Sequence, residues 1–359
     1  MKNNSQTTST LPLKLVLTGA AVAGAAYAVR RRRRIDFAGR TVLISGASRG
    51  LGLELARGFA AEGANVVLMA RDQERLNDAF LELEAYGARA SIRQCDVTDR
   101  AEARRTVSSV IDQFGAIDVL INNAGIIQVG PAENMQLEDY NQAMAIHFSA
   151  PLSLMEEVIP HMRARQGGRI VNITSIGGKV AVPHLLPYVA SKFALVGLSE
   201  ALRLELIKDN IYVTTVVPGL MRTGSHINAF FKGQHKKEYA LFSIANASPL
   251  FSTSSQKAAR QIIEACRYGQ AELIITPQAR LLQIANALFP NITAEIMGAV
   301  ARALPGERSG DGDRLQRGWQ SQSLLAPSVL TAPADRMVER NQEEPQPPPA
   351  KNHSNLREM

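Results

Sequence analysis

The stretch Thr41-Val42-Leu43-Ile44-Ser45-Gly46-Ala47-Ser48-Arg49-Gly50-Leu51-Gly52 constrains the fold of this chain more than any other. An apolar, β-rich run stops at a glycine, and further glycines lead into a stretch with helical spacing. Runs of the same kind recur at 65–69, 90–94, 117–121, 169–174, 212–217 and 272–275. Between them lie segments with helical spacing at 50–62, 72–86, 99–114, about 137–165, 188–208 and 255–267. Strands that alternate with helices predict right-handed parallel crossovers and an α/β, doubly wound parallel sheet. The strands are apolar throughout rather than in alternation, so both faces should be covered.

Gly46, Gly50 and Gly52 fall between the first strand and the first helix. Glycine there lets the backbone turn sharply and approach a pyrophosphate, while the helix N-terminus offers free N–H groups to phosphate oxygens. A plain strand-to-helix turn is the competing reading of the glycines alone. The end of the second strand bears on which dinucleotide would fit. A carboxylate there commonly accepts from the ribose 2′-OH of NAD. Here the strand ends Met69-Ala70-Arg71, with no acid before Asp72, and Arg49 lies in the glycine loop. Two guanidiniums suit a 2′-phosphate, so NADP(H) is expected in preference to NAD(H). Asp96, after the third strand, is either an acceptor for the adenine amino group or a turn residue.

Tyr188 and Lys192 are four apart on an expected helix and share a face. A phenol with an unperturbed pKa of about 10 is a poor base at neutral pH. A neighbouring ammonium would stabilise the phenolate and lower that value. Ser175 follows the fifth strand and is placed to hydrogen-bond a substrate oxygen. By itself, a tyrosine and a lysine four apart is an ordinary surface pair.

Taken together, SGASRGLG at 45–52, Asn122-Asn123-Ala124-Gly125, Ser175, and Tyr188 with Lys192 resemble the short-chain dehydrogenase/reductase family. The resemblance runs from about Arg40 to Pro277. It implies a single Rossmann-type domain of about seven parallel strands and carbonyl–alcohol chemistry. It implies Tyr188 as acid/base, Lys192 as its pKa modifier and ribose ligand, and Ser175 as substrate orienter. The cofactor-contacting set it implies comprises Gly46, Ser48, Arg49, Gly50, Leu51, Gly52, Arg71, Asp96, Val97, Asn123, Ala124, Gly125, Tyr188, Lys192, Pro218, Gly219 and Thr223, with no metal. It further implies a homodimer or tetramer. One departure stands out: the family's usual relay asparagine in the long helix is replaced by His147. The imidazole is expected to keep a modified proton relay, with a packing role as the alternative.

The remaining segments bear on substrate and location. Residues 222–250 carry His226, Phe230, Phe231, Tyr239 and Phe242, and read as a substrate lid or as a packing helix pair. Residues 279–304 are amphipathic and split by Pro290; they cap the domain, pair with a second subunit, or lie on a membrane surface. Residues 305–359 read as a mostly disordered tail, with Pro345-Gln346-Pro347-Pro348-Pro349-Ala350 near its end. At the other terminus, residues 11–29 form an apolar run followed at once by Arg30 to Arg34. A helix of that length rises about 28 Å, close to the hydrocarbon thickness of a bilayer. The charge follows the run rather than preceding it, which disfavours a cleaved signal peptide. Residues 1–34 are therefore expected to be a membrane anchor with the 35–278 domain on the cytoplasmic side, a loosely ordered leader being the alternative.

Net charge of +7 owes much to the five arginines, and no aromatic interleaving accompanies them, so a nucleic-acid partner is not expected. Cys95 and Cys266 are too few for a disulfide framework or a cysteine metal cluster. The function expected is NADP(H)-dependent interconversion of a carbonyl and an alcohol on a hydrophobic small molecule. The rival is a non-catalytic, membrane-tethered scaffold on the same fold.

Overall fold

The computed structural model describes residues 30–345, together with Gly24 and Ala28. Its centre is a seven-stranded, all-parallel sheet. In chain order the strands are β1 (Thr41–Ser45), β2 (Asn65–Ala70), β3 (Arg89–Gln94), β4 (Val119–Asn122), β5 (Gly168–Ile173), β6 (Ile211–Pro218) and β7 (Glu272–Ile275). Their order across the sheet is β7-β6-β5-β4-β1-β2-β3. The order reverses between β1 and β4, so a crevice opens at their carboxyl ends, where open α/β sheets place ligands.

The helices between strands are α1 (Gly50–Ala61), α2 (Gln73–Ala85), α3 (Arg100–Phe114), α4 (Leu137–Met144), α5 (Ala150–Ala164), α6 (Leu186–Leu206), α7 (His235–Ala247) and α8 (Ser255–Arg267). One layer of core joins Leu55 and Phe59 of α1 to Ile262 and Ile263 of α8 across Val42 and Ile44. The other joins Val107 of α3 and Leu154 and Val158 of α5 to Leu43, Leu120 and Ile170. Local signals set the helix ends. Asp72 caps α2 by accepting from the Arg75 N–H at 3.1 Å, and Asp99 caps α3 by accepting from the Glu102 N–H at 3.0 Å. Gly115 ends α3 in the left-handed conformation, with φ of 75°.

Buried polar side chains cross the sheet. The Asn122 Nδ2 donates to Asn172 Oδ1 at 2.8 Å, and Asn172 Nδ2 donates to Ser199 Oγ at 3.0 Å. Ser199 and Thr215 hydroxyls share a further hydrogen bond of 2.7 Å. All four residues are buried.

Residues 222–250 are not a simple helix pair. They hold a turn at Ser225–Asn228, a short strand at Phe230–Phe231 and α7. The amphipathic extension forms α9 (Pro277–Leu288) and α10 (Pro290–Ala303), divided at Pro290 as the sequence indicates. Leu281, Leu288, Ile292 and Ile296 on this pair stand exposed.

The expectation of a mostly disordered tail fails for residues 305–345. Gln316–Arg317 pairs antiparallel with Phe230–Phe231, and α11 (Ala332–Arg340) follows. The buried imidazole of His226 bonds Asp335 on α11 at 3.1 Å. The composition misleads because this segment is ordered by strand addition and polar contacts on the 222–250 region, rather than by a large apolar core of its own. Residues 346–359 lie outside the described residues. So does the expected anchor at 11–29, apart from Gly24 and Ala28. Among the described residues no helix is long and apolar enough to cross a membrane.

Candidate active site

The glycine loop is built around its neighbour strand. Ser45 Oγ accepts from the backbone N–H groups of Asn123 and Ala124, at 3.0 and 3.1 Å. Asn123 Nδ2 donates to the carbonyls of Ser45 and Gly46, at 3.1 and 3.0 Å. Gly46 turns with φ of 66°, and a Cβ there would meet Ala124 Cα at 2.9 Å. A Cβ on Gly52 would meet Asn123 Nδ2 at 2.7 Å and would also run into the Gly46 carbonyl. The glycines therefore let the loop and the Asn123-Ala124-Gly125 turn approach closely. Ser48 and Leu51 are buried within the same turn.

The cradle already holds an anionic group of the protein itself. Glu343 Oε1 lies 2.6 Å from where a Cβ on Gly50 would be, and its Oε2 is 3.4 Å from Arg49 Nε. The Gly50 N–H, in the first turn of α1, donates to the Asn341 carbonyl at 2.9 Å. A helix N-terminus that donates to a backbone carbonyl, beside a guanidinium that pairs with a carboxylate, is chemically suited to a nucleotide phosphate. At the end of β2, Arg71 is exposed and pairs with Asp96 at 3.8 Å. Asp72, the first acid after β2, caps α2 through its Oδ1. Asp96 Oδ1 accepts from the N–H and hydroxyl of Thr98, at 2.9 and 2.7 Å. Burial raises the Asp96 pKa, but the Thr98 hydrogen bonds and the Arg71 charge outweigh it and hold the carboxyl below its ordinary value. Val97 beside it is buried.

The acid/base residues meet at the carboxyl end of β5. Ser175 is extended and accepts from the Gly177 N–H at 3.1 Å, which fixes the turn after the strand. Tyr188 and Lys192 share a face of α6, with Lys192 Nζ 5.6 Å from the centre of the Tyr188 ring. Lys192 Nζ donates to the Ile173 carbonyl at 2.9 Å. Burial lowers its pKa to about 7. Burial also raises the Tyr188 phenol above its ordinary value, and a hydrogen bond with Ser175 offsets part of that rise.

His147 sits in a π-helical turn, Ala145–Ser149, that joins α4 to α5. Its Nε2 accepts from the Ile126 N–H at 3.1 Å. Nδ1 must then carry the proton, and it faces Ser191 Oγ at 2.8 Å. Ser191 in turn donates to the Tyr188 carbonyl at 2.8 Å. Burial, followed by the charge of Lys192, pushes the imidazole pKa well below its ordinary value. Both ring nitrogens are engaged, by the Ile126 N–H and by Ser191 Oγ, and neither by Lys192. Ser191 escaped the sequence reading, although its position one residue before Lys192 on α6 was a usable signal.

Gly219 and Thr223 complete the crevice after β6. The Gly219 N–H donates to the Ile275 carbonyl at 3.1 Å, and Pro218 ends the strand. Thr223 is buried, and its carbonyl accepts from Asn341 Nδ2 at 2.8 Å. A cavity of about 620 Å³ lies between Pro131, Pro183, Leu186 and Leu304, with Glu133, His184, Arg302 and Glu307 also lining it. Beside it, His184 Nδ1 bonds the buried Glu238 at 2.7 Å, which ties α7 to the loop before α6.

A parallel sheet with a glycine loop at its switch point and a Ser/Tyr/Lys cluster beside it defines a dinucleotide-dependent oxidoreductase. The short chain dehydrogenase family matches residues 40–231, and the chain belongs to the short-chain dehydrogenase/reductase family. The chain is 33% identical over 302 residues to Dehydrogenase/reductase SDR family protein 7-like of Anopheles gambiae, covering 82% of this chain and 94% of that one. It is 30% identical to a fatty acyl-CoA reductase of Acinetobacter baylyi, covering 78% and 90%. Among solved structures, L-sorbose reductase from Gluconobacter frateurii, complexed with NADPH and L-sorbose, is similar at a TM-score of 0.60 and 30% identity. That match covers 67% of this chain and 97% of the reductase.

Proposed function

We propose that this chain catalyses NADP(H)-dependent interconversion of a carbonyl and an alcohol on a hydrophobic small molecule. The observation that carries the reading is the meeting of Ser175, Tyr188 and Lys192 beside a glycine loop that already accepts an anion. Gly46, Gly50 and Gly52 would receive the pyrophosphate, and Arg49 and Arg71 a 2′-phosphate. Asp96 and Val97 would flank the adenine, and Pro218, Gly219 and Thr223 the nicotinamide. When bound, the dinucleotide supplies or accepts the hydride. Ser175 orients the substrate oxygen by a hydrogen bond. The Tyr188 hydroxyl gives that oxygen its proton in reduction and takes it back in oxidation. Lys192, held on the Ile173 carbonyl, tunes the phenol, and His147 holds the Tyr188 turn through Ser191.

A hydrophobic substrate is supported by the likeness to a fatty acyl-CoA reductase. Membrane association through residues 11–29, with the catalytic domain on the cytoplasmic side, is supported by the length of the run and its Arg30–Arg34 flank. A homodimer is supported by exposed Phe193 and Leu204 on α6.

The test is Tyr188→Phe in the detergent-extracted full chain, assayed with NADPH over a panel of apolar carbonyl compounds. Turnover should fall on the order of 10²- to 10⁴-fold while NADPH binding stays within a few-fold. Turnover equal to that of the unmodified protein removes the mechanism.

A further inference from the structure

The segment that follows α11 runs along the cofactor crevice. Asn341 bridges its two sides: its carbonyl accepts from Gly50 N–H, and its side-chain amide donates to the Thr223 carbonyl. Glu343 is almost wholly buried, with its carboxylate on the open side of Gly50 and against Arg49. Asn228 Nδ2 donates to both the backbone carbonyl and the Oε2 of Glu343, at 2.7 and 2.6 Å. The Arg75 guanidinium donates to the carbonyls of Gln342 and Glu344. A backbone carbonyl and a carboxylate thus use the same helix N-terminus and guanidinium that would meet a dinucleotide phosphate.

We propose that residues 341–345 are an internal ligand of the phosphate site, which NADP(H) must displace to bind. The inference rests on reading the glycine loop as the NADP(H) site. Two anions do not share one buried cradle, because each would raise the cost of the other in a medium that screens poorly. The space that glycine leaves open at position 50 is filled by Glu343 Oε1, so a phosphate approaching that backbone meets the carboxylate first. The closed arrangement also carries its own costs. Gln342 adopts φ of 54°, a left-handed conformation unfavourable for a residue with a Cβ, and its buried Oε1 has no hydrogen-bond partner among the described residues. Polar bonds hold the strap, and the anchoring contact of Asp335 with His226 lies upstream on α11. Residues 341–345 are therefore able to lift without the loss of that contact.

The experiment uses the full chain and titrates NADPH by its fluorescence. Glu343→Ala and Glu343→Gln are compared with Glu339→Ala, an exposed acid on α11, as the control. Both Glu343 variants should bind NADPH on the order of three- to tenfold more tightly, as expected when a competent fraction of about a tenth to a third rises toward one. The control should match the unmodified protein. Amide hydrogen exchange over 341–345 should quicken when NADPH is added to the unmodified protein. Affinity that is unchanged in the Glu343 variants, or exchange that does not quicken, overturns the proposal. Weaker binding by the variants also overturns it and makes the segment a clasp over bound cofactor. NADPH binding by none of the proteins overturns the cofactor reading itself, and the strap with it.

Discussion

His147 and Tyr188 are joined through one hydroxyl: the imidazole Nδ1 faces Ser191 Oγ at 2.8 Å, and that oxygen donates to the Tyr188 carbonyl. The two rings also meet edge to face, with centroids 5.3 Å apart. The ring that stands in place of an asparagine therefore fixes the first turn of α6 and the loop after β4 together.

This arrangement needs a neutral imidazole, and its pKa is well below the ordinary value. As pH falls below about 6.5, the unfolded chain takes up a proton that the folded chain refuses, so stability is lost. The slope from this group is about 1.4 kcal/mol per pH unit until the folded pKa is reached. His147→Asn should flatten the fall in melting temperature between pH 6.5 and 5. An acid slope equal to that of the unmodified protein would count against the clamp.

Lys192 makes the opposite end of the pH range informative. Its folded pKa of about 7 lies below the ordinary lysine value. Burial of the ammonium costs most below pH 7, and the cost fades as pH rises from 7 toward 10.5, because the unfolded state then binds the extra proton. Relative to Lys192→Met, the cofactor-free protein should gain stability across that window. Thermal unfolding of both proteins at pH 6.5 and 9.5 measures the difference, and a gap that stays constant rejects the shift. The same substitution should cost at least about a hundredfold in kcat/KM, since the phenol loses its tuning partner.

Arg49 bears on the choice of dinucleotide. A charge-assisted bond to a phosphate is worth about 1.5–3 kcal/mol, or roughly ten- to a hundredfold. Arg49→Ala should weaken NADPH by that factor, while NADH, which lacks the 2′-phosphate, holds or gains. Parallel fluorescence titrations with the two cofactors decide it; equal losses would assign Arg49 to structure alone.

Much of the fold was written in the chain. Residues 41–45, 65–70 and 211–218 are buried strands because apolar runs of that length, punctuated by glycine, pack well nowhere else. Ser175, Tyr188 and Lys192 were recognisable because their chemistry fixes both residue type and spacing. What stayed hidden depends on contacts far apart in sequence. The orientation of His147 comes from Ile126 and Ser191, 21 and 44 residues away. Residues 305–345 read as tail because their order comes from partners such as His226, Asn228 and Phe231, which composition does not reveal. The balance of burial against the Ser175 hydrogen bond at Tyr188 depends on packing density, which spacing alone does not carry.

The chain of amides and hydroxyls from Asn122 through Asn172 and Ser199 to Thr215 works as an alignment pin for the middle of the sheet. Asn122 lies level with Asn172, and Asn172 with Thr215. If β5 slid by one residue, apolar strands would tolerate many neighbours, but these directional bonds between buried groups would break together. Because Ser175 hangs just beyond β5 and the Asn123 turn just beyond β4, the pin sets how far each reaches into the crevice, and so holds two halves of the chemistry in step.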